Sequence, residues 1–152
     1  MAADIELLKK LRNETQVSLA DCRKALEATE NDYEKAKAWL AKNGLEKAAK
    51  KSGREAKQGI VHAYIHAGGR VGVLLELACE TDFVARTDEF KKLAQEIAMQ
   101  VSAMNPKDVE TLMKQEYIRD GSKTIEALVK ETIAKLGENT VIKRFTRFEI
   151  GE

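Results

Sequence analysis

A chain of 152 residues, 34% of them charged and 43% hydrophobic, can form one domain, or a small module beside a compact one. It is too short for a two-lobed enzyme, and its composition is that of a folded rather than a disordered chain. With 26 basic against 25 acidic side chains, it lacks the basic excess of a dedicated DNA binder.

The first elements are helical. Ile5, Leu8 and Leu11 recur at helical spacing with Leu7 beside them. Ser18 precedes Asp21 by three in the manner of a capping box, and Leu19, Cys22 and Leu26 give a second apolar face. Asn31 and Glu34 open a third helix with Tyr33, Ala36 and Leu40 on its face, and Gly44 is placed to end it. Three helices in about 40 residues build only a small core, so this unit should be marginal alone. Residues 43–57 follow, with five basic and two acidic side chains and two glycines; the stretches on either side are near balance. They are expected to connect two units, 1–42 and 58–152.

The second unit opens with a hairpin. Gly59–His66 and Val71–Cys79 flank Ala67-Gly68-Gly69-Arg70, where paired glycines permit a tight turn. Val61, Ala63 and Ile65 alternate with His62, Tyr64 and His66, and Val71, Val73, Leu75 and Leu77 alternate along the second strand. Each strand thus has one apolar face. A helix follows from Asp88, capped by Thr87, with Phe90, Leu93, Ala94, Ile97, Val101 and Met104 in one stripe. Asn105-Pro106 stops it, and Pro106 can start a short helix bearing Val109, Leu112 and Met113. Ser122 or Thr124 can cap the next helix, which Gly137 ends. Thr140–Ile150 is rich in β-formers without strict alternation, as in a bulged strand or one covered on both faces. The order β-β-α-α-α-β predicts an α+β chain: a helical module, then a three-stranded antiparallel sheet packed on helices.

Chemistry is sparse in this sequence. Cys22 and Cys79 make neither a disulfide framework nor a zinc pattern, and they suit a reducing cytosol. The longest apolar run, Val71–Cys79, contains Glu76 and falls well below the roughly 20 residues of a membrane span. With no secretory signal at Met1-Ala2-Ala3-Asp4, the expectation is a soluble cytoplasmic protein. His62 and His66 share a strand face without further metal ligands, so they are expected on a solvated face. Gly68-Gly69 sits in a hairpin rather than between strand and helix, so no loop cradles a nucleotide. No serine sits in a nucleophile elbow. The residues offer no catalytic, cofactor or metal site. Lys47, Lys50, Lys51, Arg54 and Lys57 fit a solvated helix face better than a nucleic-acid surface, because no aromatic platform interleaves with them. The segment Glu80–Thr87 is different: it places Phe83 and Val84 in a turn. Either Phe83 tucks back into the core or it protrudes as an apolar anchor for a partner's pocket.

These residues carry a resemblance. Cys79-Glu80-Thr81-Asp82-Phe83-Val84-Ala85 resembles the signature of translation elongation factor Ts. So do Leu11-Arg12 through Asp21-Cys22-Arg23-Lys24-Ala25-Leu26, the connector Lys47–Arg54, the hairpin Ile65–Gly72 and the tail Arg144–Gly151, in the family's order over nearly the whole chain. The resemblance implies a guanine nucleotide exchange factor for elongation factor Tu that has no catalytic site and binds no nucleotide directly. It implies an N-terminal three-helix ubiquitin-associated-like domain that docks on the GTPase's nucleotide-binding domain, with Arg12, Leu19, Ala20 and Arg23 as contacts. Thr81, Asp82, Phe83 and Val84 resemble the family's intruding turn, which enters near the magnesium and phosphate site. Ile65, His66 and Gly68 resemble a region used against another domain of the GTPase. The chain departs from the family pattern at Gln16, where a glycine is usual, and at Leu19-Ala20, where a Met pair is common. It carries a single core unit, the form in which some members pair as a homodimer. The alternative is a ubiquitin-associated-like module fused to an RNA- or ribosome-binding domain.

Overall fold

The computed structural model describes residues 1–152, folded as α1 (Ile5–Thr15), α2 (Leu19–Ala28), α3 (Tyr33–Lys51), β1 (Gln58–Ile65), β2 (Val71–Cys79), α4 (Asp82–Ala85), α5 (Asp88–Met104), α6 (Val109–Lys114), β3 (Glu116–Tyr117), β4 (Asp120–Thr124), α7 (Ile125–Leu136) and β5 (Val141–Glu149). It is an α+β chain. Its three-stranded antiparallel sheet runs in the order β1-β2-β5 and packs on helices.

Local chemistry sets the helix starts. Each of the seven helices begins after an Asp, Ser or Thr whose side chain accepts from the backbone N–H three residues on. These bonds satisfy donors that have no partner within the helix. Ser18, Thr87 and Thr124 take this role as expected. At α3 the cap is Asp32 rather than Asn31. Asn31 instead takes a left-handed φ of +62°, accepting from Asp4 N at 2.8 Å and donating to the Ala2 carbonyl at 3.0 Å. At α6 the cap is Asp108, whose carboxylate accepts from Thr111 N at 2.7 Å, so Pro106 lies outside the helix it was expected to start.

Gly44 does not end the third helix. α3 continues through residues 43–51 to Lys51, and a Cβ at Gly44 would lie 3.1 Å from the Cβ of Ala134. The glycine is the point of close approach between α3 and α7. One helix therefore serves two cores. Ala36 and Leu40 join Leu8, Leu11, Cys22, Ala25 and Leu26 in a small cluster of seven buried residues. Ala48 joins an 18-residue cluster built mainly from β2, α5 and α7, with one residue each from α4, α6, β3 and β5.

In that larger core α5 lies under β1 and β2, and α7 packs on α5. Val73, Leu75 and Leu77 meet Phe90, Leu93, Ile97 and Val101 of α5 and Ile125, Val129 and Ile133 of α7. Met104, expected in the α5 stripe, is half exposed at the helix end. The hairpin turn uses Gly68 at φ +87° and Gly69 at +72°, angles that L side chains disfavour. β5 bulges: Arg144 pairs with Glu76 and Ile142 with Leu77, so Lys143 is the extra residue.

Two features depart from the sequence reading. In β1 the half-buried residues are Ile60, His62 and Tyr64, and the exposed ones are Val61, Ala63 and Ile65. His62 faces the helices and bonds Gln95 at 2.5 Å; only His66 is solvated. The reason is register. His62 and Tyr64 pair with Leu75 and Val73, which point into the core. The second feature is a small hairpin, β3–β4, between α6 and α7. Gln100 holds it by donating to the Glu116 carbonyl at 3.0 Å and accepting from Ile118 N at 3.0 Å. Glu96 accepts from Tyr117 Oη and Arg119 Nη1, both at 2.7 Å.

Candidate functional site

The turn after β2 is a four-residue helix, α4. A helix that short has almost no stability of its own, so its anchors fix it. Thr81 is the main one. Its N–H donates to Glu138 Oε1 at 2.9 Å and its hydroxyl to Glu138 Oε2 at 2.7 Å. The same hydroxyl oxygen accepts from Val84 N at 3.3 Å. Its carbonyl accepts from the Cys79 thiol at 3.0 Å and from Ala85 N at 3.3 Å. Burial, followed by the nearby Glu138 charge, pushes the Cys79 thiol pKa up, so it stays a protonated donor at neutral pH.

On this base Ala85 is buried and Val84 packs against the core, while Phe83 is 77% exposed. Asp82 is exposed and pairs with Arg86, whose guanidinium lies 5.9 Å from the Phe83 ring centroid. The Asp82 charge is therefore met within its own turn, an exposed pair worth ~0–1 kcal/mol.

The other candidate residues lie on separate elements. α2 exposes Leu19, Ala20 and Arg23 while burying Cys22, Ala25 and Leu26. Arg12, half-buried near the end of α1, donates to Gln16 Oε1 at 3.3 Å. His66 follows β1, exposed, with Nδ1 3.0 Å from the Tyr64 hydroxyl.

The sequence reading missed a clasp beside the turn. Glu80 Oε2 accepts from Asn139 N at 2.6 Å, Glu80 Oε1 pairs with Arg54 at 2.9 Å, and Asn139 Nδ2 donates to the Arg54 carbonyl at 2.8 Å. Its only signal was a polar Glu-Asn pair after Gly137, and loops are commonly polar.

The basic segment is partly used up inside the molecule. Lys47 pairs with Asp21 at 2.6 Å and Arg54 with Glu80. No three His, Cys, Asp or Glu side chains converge to hold a metal ion, and no helix is long and apolar enough to cross a membrane. An open cleft of 670 Å³ lies at one end of the sheet among Lys57, Gly59, Val61, Glu76 and Lys143.

Comparisons with known proteins agree along the chain. Residues 80–152 match the family model "Elongation factor TS", and residues 1–53 match "Elongation factor Ts, mitochondrial, N-terminal". Elongation factor Ts of Coprothermobacter proteolyticus is 42% identical over 197 aligned positions, covering all of both chains. With 152 residues here, about 45 of those positions have no counterpart in this chain. The protein of Thermotoga neapolitana is 43% identical over all of this chain and 99% of its own. That of Synechococcus sp. is 41% identical over all of this chain and 70% of its own. The chain belongs to the elongation factor Ts family of translation factors.

Proposed function

We propose that the chain promotes GDP release from elongation factor Tu in the cytoplasm by inserting the Asp82–Phe83 turn beside the GTPase's magnesium and phosphate site. It has no catalytic site of its own and contacts no nucleotide. The observation that carries this reading is Phe83, 77% exposed on a turn whose anchor, Thr81, has every polar group bonded. Leaving a Phe ring in water forgoes roughly 1.5–3 kcal/mol. A ring held outward on a rigid mount is suited to a pocket on another molecule.

The mechanism is one of linkage. A factor that binds the nucleotide-free GTPase more tightly than the loaded one must itself be weakened by nucleotide to the same degree. The contacts to Mg²⁺ and phosphate depend on charge and geometry, so a small displacement by the ring releases GDP. Asp82, tied to Arg86, orients the turn rather than competing for the phosphate donors. Residues 1–42 carry Arg12, Leu19, Ala20 and Arg23 onto the nucleotide-binding domain, residues 43–57 join the units, and residues 58–152 carry the turn and His66.

Release of a fluorescent GDP analogue from elongation factor Tu tests this. Catalytic amounts of the chain accelerate release. Phe83→Ala lowers the acceleration about tenfold or more, as expected for an aromatic anchor, while stability changes by less than about 0.5 kcal/mol, as for a surface site. Equal release by mutant and wild type sinks the role of the ring.

The rival reading, an RNA- or ribosome-binding module, depends on the basic residues 47–57. The pairing of Lys47 with Asp21 and of Arg54 with Glu80 weighs against it. That reading demands RNA affinity that drops steeply with salt.

The outward face of the sheet offers a second docking surface. Val61, Ala63, Ile65, Leu74 and Phe148 lie on it, exposed. We assign it to a second copy of the chain, in a homodimer.

A further inference from the structure

We infer that Glu138 is a positioning residue for exchange, one that aims the Phe83 ring through Thr81. The inference rests on the exchange-factor reading above. Both carboxylate oxygens of Glu138 are taken up by one residue 57 positions away, one by its backbone N–H and the other by its hydroxyl. Because Thr81 gives its hydroxyl proton to Glu138, the oxygen's lone pairs remain for Val84 N. The carboxylate thus fixes the polarity of the cap that starts α4, and that cap fixes where residue 83 points.

The surrounding bonds separate this role from general support. The loops exchange partners reciprocally: Glu138 accepts the Thr81 N–H, and Glu80 accepts the Asn139 N–H. The second couple, with Arg54 on Glu80 and Asn139 on the Arg54 carbonyl, does not involve the Glu138 side chain. Removing that side chain leaves the loops joined and frees the turn. The contact faces on α1 and α2 are built from other elements and are unaffected. Glu138 should therefore govern how fast the bound factor expels GDP, with no effect on how tightly it docks.

The test uses the full chain with Glu138→Ala, Glu138→Gln, Phe83→Ala and the double variant Glu138→Ala/Phe83→Ala. Release of a fluorescent GDP analogue from elongation factor Tu is followed against factor concentration. Glu138→Ala is expected to lower the saturating rate about tenfold, the scale of a small misplacement of a group remote from the reacting centre. The half-saturating concentration stays at the wild-type value, and in the Phe83→Ala background the substitution has no further effect. Glu138→Gln keeps an acceptor for the Thr81 N–H but turns an N–H₂ group toward the hydroxyl, so its rate falls between the two. Should the alanine variant not fold, the isosteric glutamine variant carries the same comparison. The role is overturned by a wild-type saturating rate. It is equally overturned by losses that multiply with those of Phe83→Ala, or by a weaker half-saturating concentration that tracks a lower melting temperature. If Phe83→Ala itself releases GDP at the wild-type rate, the ring has no part in exchange, and the inference falls with the reading on which it rests.

Discussion

Gln16 shows how one residue closes a helix at a definite cost. It closes α1 with φ +58°, in the left-handed region where a Cβ crowds the following carbonyl and costs ~1–2 kcal/mol. Two local bonds offset part of this: Gln16 Nε2 donates to the Asn13 carbonyl at 2.7 Å, and Oε1 accepts from Arg12 at 3.3 Å. Both are exposed, where water competes. Glycine removes the left-handed strain but adds unfolded-chain entropy of about 0.5–1 kcal/mol. The net expectation for Gln16→Gly is a gain of about 0.5 kcal/mol, read as a higher urea midpoint at unchanged slope. A lower midpoint would mean that the two side-chain bonds outweigh the strain. The same substitution frees Arg12, one of the proposed contacts, so exchange measured alongside stability separates the two roles of this position.

Among the elements, the crossing of α3 and α7 decides whether the small helical unit stands with the core. Gly44→Ala gains ~1 kcal/mol of helix propensity but sets its Cβ 3.1 Å from that of Ala134. The two effects should nearly cancel. Gly44→Leu cannot be accommodated without parting the helices, and overpacking of this kind costs ~1–3 kcal/mol. The seven-residue core of the first unit is too small to hold alone, so the leucine variant should unfold in two steps, with Trp39 reporting the earlier one. A single transition in that variant would show that α3 docks by other contacts. This crossing also shows what a sequence conveals. The α5 stripe, the Ser18 and Thr87 caps and the hairpin glycines were legible because each is decided within a few residues. The meaning of Gly44 lies 90 residues away, at Ala134. The inward face of β1 is chosen by its register with Leu75 and Val73, against its own pattern of Val61, Ala63 and Ile65. The β3–β4 hairpin exists because Glu96 and Gln100 reach it from α5. At the site, the exposed turn could be suspected from Phe83 and Val84, but Glu138 lies in a loop with no distinguishing pattern.

For the whole molecule, the outer face of the sheet is the surface proposed above to pair two copies of the chain. Val61 is 71% exposed, Phe148 72% and Leu74 51%; with the Glu76–Arg144 ion pair beside Val61 on the same face, exposed apolar side chains gathered in this way mark an interaction site. Three strands of eight, nine and nine residues, spaced about 4.8 Å apart with about 3.3 Å per residue, present a rectangle of roughly 400 Å². A standard interface buries about 800 Å² per partner. The face alone supplies about half of that, so a homodimer closed only through it should be weak and should depend on concentration. Sedimentation across about 1 to 100 μM spans the range in which a micromolar equilibrium shifts, and the mean mass should rise through it. Leu74→Lys projects outward between Ala63 and Thr146, so it leaves the core intact while placing like charges against each other across a two-fold contact. That variant should remain monomeric throughout with an unchanged melting temperature. Exchange then distinguishes the occupants of the face. If Leu74→Lys abolishes the dimer and exchange by the monomer persists, the face serves self-association. If the wild type is monomeric at every concentration and Leu74→Lys still slows GDP release, the face docks on the GTPase, and the homodimer is excluded.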